Sequence, residues 1–218
     1  MPSNDSSSGI RRSHVVWACW LLAMSLVGGT LVALEPDRAS DDASAPMLLA
    51  EVEMGAGEAS LADAVRVDET VANDWDWIVV HHSGSVMGSA NTIDAQHRDR
   101  GFESLGYHFV IGNGQGETDG LIEVGPRWSL QQPGAHTAGP DSERYNRRGI
   151  GICLVGDGER RGFTERQFGS LVSLIRALCE EHGIPASNVV LHREVAPTSG
   201  PGRYFSETRL RDALAPAF

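Results

Sequence analysis

A chain of 218 residues, 41% hydrophobic and 22% charged, is long enough for one globular domain plus extra segments, with a core that needs no metal or disulfide staple. The formal charge of -11 excludes the lysine- and arginine-rich surface that a nucleic-acid backbone demands, so no nucleic-acid partner is expected. Of the three cysteines, Cys19 lies in an apolar run, while Cys153 and Cys179 sit in patterns that read as core, where free thiols are expected over a bridge.

Arg11 and Arg12 precede an almost unbroken apolar run at residues 15–34. Its length of roughly 20 residues matches a ~30 Å hydrocarbon layer, and it carries no polar face. The basic pair ahead of it and the acidic stretch behind it orient residues 1–14 to the cytoplasm and the remainder outside. A cleaved signal segment is the competing reading, but the run is long and lacks a good small-residue exit, so a single-pass membrane anchor is preferred. Residues 35–73 are rich in Ala, Asp, Glu, Ser and Gly, which predicts a flexible acidic linker with room for a short helix at 61–67.

Structure signals thicken from residue 74, where the folded domain (74–218) is expected to begin. IVVHHS (78–83) opens as a β-branched strand. A helix follows, starting at Asn91 or Thr92 and ending at Gly101. GYHFVIG (106–112) reads as a second strand, NGQGETDG (113–120) as a turn, and LIEVG (121–125) as the strand that pairs back. GIGICLVG (149–156) is a continuous apolar run, expected to be a central strand buried on both faces. Helix 165–182 is the clearest element: Thr164 and Gln167 form a capping box, and Phe168, Leu171, Val172, Ile175, Leu178 and Cys179 share one face. Gly183 stops it. NVVLH (188–192) is another short strand, and Ser206 caps a last helix through Leu214. The expected fold class is α/β, a central mixed β-sheet flanked by helices, preceded by an N-terminal hydrophobic helix and flexible linker.

His81 and His192 each stand at the C-terminal end of an apolar strand, where α/β sheets gather ligands and catalytic groups. Either histidine alone reads as surface or satisfied core; together they suggest a metal pair, which a zinc hydrolase would complete with a third protein ligand and water. His82 is expected to pack or face solvent, His108 to be structural, His97 to lie on a helix surface, and His182 to suit a helix C-terminus. Tyr145 and Trp128 are candidates either for stacking on sugar or for rim packing.

Five motifs occur in order: IVVHHSGS (78–85), GYHFVI (106–111), GAHTAG (134–139), YNRRGIGICLVGD (145–157) and HREVAPTSGPGRYF (192–205). Together they resemble the zinc-dependent N-acetylmuramoyl-L-alanine amidase family, which includes phage amidase-lysozymes and animal peptidoglycan recognition proteins. The resemblance implies Zn2+ held by His81 and His192, with Tyr107 near the activated water and Thr198 near the scissile carbonyl. It places His136 and Asn146 along a substrate groove. The substrate it implies is peptidoglycan or muropeptides, cut between N-acetylmuramic acid and L-alanine. The family's third ligand, Cys or Asp, falls on Gly200, which has no side chain to offer. An enzyme with two protein ligands is preferred, and a catalytically impaired or zinc-free peptidoglycan-binding module is the alternative. A monomer tethered to the cell membrane, its C-terminal domain outside the cytoplasm, completes the expectation.

Overall fold

The computed structural model describes residues 51–52, 58–68 and 72–215. The apolar run at 15–34 and the residues on either side of it, 1–14 and 35–50, lie outside the described residues. Among the described residues, no helix is long and apolar enough to cross a membrane.

Six strands form one mixed sheet: β1 (Glu51–Val52), β2 (Trp77–His82), β3 (Phe109–Ile111), β4 (Ile122–Val124), β5 (Gly149–Leu154) and β6 (Val189–Leu191), in the order β1-β4-β3-β5-β2-β6. β5 runs parallel to both neighbours, β3 and β2, and β6 is parallel to β2. β4 returns antiparallel beside β3, and β1 lies antiparallel on β4. Every residue of β5 is buried, as a run of apolar residues without polar alternation requires of a strand covered on both faces.

The helices are α1 (Glu58–Val65), α2 (Ala90–Asp99), α3 (Pro126–Ser129), α4 (Ser142–Arg148), α5 (Glu165–His182), α6 (His192–Val195) and α7 (Glu207–Leu214). Alternation along the strands separates two apolar layers. Ile150, Ile152 and Leu154 face the main core with Phe168, Leu171, Leu174, Ile175 and Leu178 of α5. Val110 and Cys153 face the other way, toward Ala90 and Ile93 of α2. Burying one such Leu or Ile contributes about 1.5–3 kcal/mol. Cys153 and Cys179 fall in different layers, and both are free thiols.

α5 begins and ends where its sequence signals lie: the Thr164 side chain accepts from the Gln167 N–H, and Gly183 closes it at φ 66°. α2 starts slightly earlier than expected because Ser89, not Asn91 or Thr92, is the N-cap, in a capping box with Thr92. His192 does not end strand β6 but opens the short turn α6 behind it. Part of the stretch read as an acidic linker is folded onto the domain. Val65 is buried, the Trp128 indole donates to the Ala64 carbonyl at 2.9 Å, and His182 Nε2 lies 3.2 Å from the Val65 carbonyl. A short amphipathic turn was diluted by the polar composition of the longer window around it. Trp128, 2% exposed beneath this helix, is core and unavailable for stacking on a sugar.

Candidate functional site

Parallel register builds the site. β2 pairs with β6 through Val80 opposite Leu191, so the next residues, His81 and His192, emerge side by side at the strand ends. Their rings lie 4.1 Å apart, centroid to centroid. His81 Nδ1 and His192 Nε2 are both buried without a hydrogen-bond partner. A buried polar atom left bare is costly unless something else satisfies it.

Both rings are held neutral. Burial pushes His81 well below its ordinary pKa, with His136, His192, His82 and His108 adding to the effect. Burial, with the neighbouring His82, lowers His192 to about 4. Neutral imidazoles present lone pairs, the form that binds a metal ion. His82 turns to the other side of the strand, where its Nδ1 accepts the Gly158 N–H at 3.0 Å, a packing role.

His136 does not line an open groove. It is 7% exposed, packed against His81, with its Nδ1 3.1 Å from His81 Nε2 and its Nε2 3.1 Å from the Gly149 carbonyl. Asn146 is likewise engaged inside the fold. Its Oδ1 accepts from the backbone N–H groups of His136 and Thr137, both at 2.9 Å, and its Nδ2 donates to the Thr137 carbonyl. Both side chains hydrogen-bond within the fold, His136 to His81 and Asn146 to the backbone that carries His136.

The Tyr107 ring lies 5.1 Å from that of His81. Its hydroxyl meets the Cys153 thiol, and burial raises its pKa well above the usual phenol value. Cys153 read as plain core from the sequence, and nothing in its spacing signalled this contact. Thr198 is exposed; its hydroxyl oxygen accepts the Gly200 N–H at 3.3 Å, leaving its own proton free to donate outward. Gly200 packs against His192 and His82: a Cβ there would lie 3.2 Å from His192 Nδ1 and 3.6 Å from His82 Cδ2. Tyr145 is partly exposed in a surface cluster, edge-on to Trp77, with Arg144 over both rings.

His108 is structural, as expected: Nδ1 accepts from Gly151 N–H at 2.9 Å and Nε2 donates to the Gln132 carbonyl at 3.0 Å. His97 is buried, not on the helix surface, because its Nδ1 accepts the Gly106 N–H.

Two neutral imidazoles with bare nitrogens fit two of the four positions of a tetrahedral zinc ion. Among the described residues, no group of three or more His, Cys, Asp or Glu side chains converges on a common point. The residues that would hold a metal ion are His81 and His192, through the two nitrogens left without a partner.

Known proteins resemble this chain in sequence and in fold. The N-acetylmuramoyl-L-alanine amidase family profile matches residues 71–203. The endolysin of Escherichia phage T7 is 34% identical over 144 residues, 62% of this chain and 86% of the endolysin. A peptidoglycan recognition protein of Trichoplusia ni is 28% identical over 157 residues, 66% of this chain and 79% of that protein. Among solved structures, the N-acetylmuramoyl-L-alanine amidase endolysin LysCS from Clostridium intestinale superposes with a TM-score of 0.56 at 29% identity, covering 69% of this chain and 93% of that one.

Proposed function

The chain belongs to the N-acetylmuramoyl-L-alanine amidase family, and from that premise we propose that it hydrolyses the amide joining N-acetylmuramic acid to L-alanine in peptidoglycan or muropeptides, with zinc held by His81 and His192. The observation that carries the reading is the pair of bare, buried nitrogens on adjacent neutral rings. Bound zinc supplies Lewis acidity, making water nucleophilic near neutral pH and polarising the amide carbonyl.

The chain's own groups then divide the work. Tyr107 stays protonated across the neutral range, its ring beside His81 and its hydroxyl against the Cys153 thiol, and in this reading the hydroxyl oxygen orients the attacking water by accepting from it. Thr198 donates its free hydroxyl proton to the carbonyl oxygen as negative charge develops there. Water oxygen bonds to the lactyl carbonyl carbon, the C–N bond breaks, and the alanine amine leaves carrying a proton. His136 and Asn146 hold the site from behind.

Gly200 favours a second reading, a zinc-free module that binds peptidoglycan without cutting it, because the third ligand position has no side chain. The retained Tyr107 and Thr198 favour the enzyme. The reading also places the domain outside the cytoplasm, as a monomer tethered through residues 15–34. Protease accessibility of the domain in intact spheroplasts checks that placement.

The test is digestion of peptidoglycan by the full chain. Free alanine amino groups should appear without new reducing sugar ends, and a chelator should stop their release. Tight muropeptide binding with no amine release at saturating zinc would establish the binding module instead.

A further inference from the structure

His136 is buried directly behind His81, 7% exposed and enclosed by glycines. A Cβ on Gly134 or Gly151 would lie 2.3 or 2.5 Å from His136 Cδ2, so the ring fills a slot that only glycine leaves open. The Asn146 side chain pins the backbone on both sides of it. A slot this specific asks what the imidazole does that another flat ring would not.

The hydrogen bonds answer it step by step. The Gly149 carbonyl can only accept, so the proton of His136 resides on Nε2, 3.1 Å away. The ring is 7% exposed and, among the described residues, no carboxylate lies in hydrogen-bond reach to hold a second proton, so it is neutral and Nδ1 carries only a lone pair. That lone pair faces two donors, the Thr137 hydroxyl at 3.0 Å and His81 Nε2 at 3.1 Å. A bare nitrogen there would leave two lone pairs opposed, so His81 carries its proton on Nε2. Its lone pair is then on Nδ1, the buried atom left without a hydrogen-bond partner.

We propose that His136 is a positioning residue that fixes His81 in the Nε2–H tautomer, aiming the Nδ1 lone pair at a metal ion. The chain runs from the Gly149 carbonyl through His136 to His81, and the backbone oxygen sets its direction. A partner on the far nitrogen of a ligating histidine fixes tautomer and ring orientation and raises ligand basicity. The function of this tautomer rests on the zinc reading above; the tautomer itself does not.

The experiment uses the full chain, metal-free and labelled with 15N at histidine, read by two-bond nitrogen–proton correlation; loss of signals in His81→Asn assigns the ring. Wild type should show His81 protonated at Nε2 alone. His136→Leu should give mixed His81 tautomers and zinc affinity lower by about 10–100-fold. His136→Asn, whose side-chain oxygen can accept from His81, should restore both. A wild-type His81 protonated at Nδ1 overturns the proposal even if the leucine variant fails to fold. So does a leucine variant with wild-type tautomer and affinity. Wild type that shows the Nε2–H tautomer but binds no zinc supports the assignment of His136 while contradicting the metal reading.

Discussion

Replacing Gly200 by cysteine would place a thiol beside His192, and the room at position 200 limits the gain. Gly200 is buried, and its backbone is not in the left-handed region, so a side chain is sterically admissible. The new Cβ would meet His192 Nδ1 at 3.2 Å and His192 Cβ at 3.4 Å, which requires the half-buried His192 ring to give by a few tenths of an ångström. Structural zinc sites gain ~10–16 kcal/mol from four ligands, about 2.5–4 kcal/mol for each. Crowding at His192 takes back about 1 kcal/mol. The remaining ~1.5–3 kcal/mol corresponds to roughly 10- to 150-fold tighter zinc binding. Competition against a chromophoric chelator measures it, and cobalt loading reports a new thiolate charge-transfer band. Gly200→Ala adds the Cβ without the sulfur and should gain nothing. Unchanged affinity and no thiolate band in the cysteine variant would refute the placement of position 200 at the metal.

Other outcomes follow from single groups. Thr164→Ala removes the cap of α5 and the 2.6 Å hydroxyl bond to Asp119, and should lower unfolding free energy by about 1–2 kcal/mol in a urea titration. His108 is fully buried with its pKa lowered by burial to about 4, whereas in the unfolded chain it returns to an ordinary value near 6.5. The unfolded state therefore takes up the proton first as pH falls. Its stabilising contribution is complete above about 6.5 and is lost toward pH 4 at about 1.4 kcal/mol per pH unit. Urea midpoints that stay flat between pH 7 and pH 5 would contradict this. Tyr107→Phe keeps the ring and removes the hydroxyl, so amide hydrolysis should slow by about 10²-fold while zinc affinity holds. Equal loss of both would make Tyr107 a packing residue.

Local signals carried much of the fold into the sequence. α5 announced itself through its capping box, its apolar face and Gly183, all within one stretch. β5 did so through an apolar run too short for a helix and too continuous for an edge strand. α1 was legible as room for a short helix at 61–67, while its docking depends on partners far along the chain, α5 and Trp128. The site divided along the same line. His81 and His192 were legible at strand ends, but their adjacency is a product of β2–β6 register. His136 was legible as a motif residue, and only the fold shows that it bonds to His81. The Tyr107–Cys153 contact left no mark in spacing at all.

The central claim is amide hydrolysis at a two-histidine zinc site. Its most direct measurement is mass spectrometry of a defined muropeptide incubated with the zinc-loaded full chain and with His81→Ala. Wild type should release N-acetylmuramic acid with an intact lactyl carboxylate and a peptide beginning with free L-alanine, and the variant should release neither. Intact muropeptide in both reactions, or equal cleavage in both, would contradict the account.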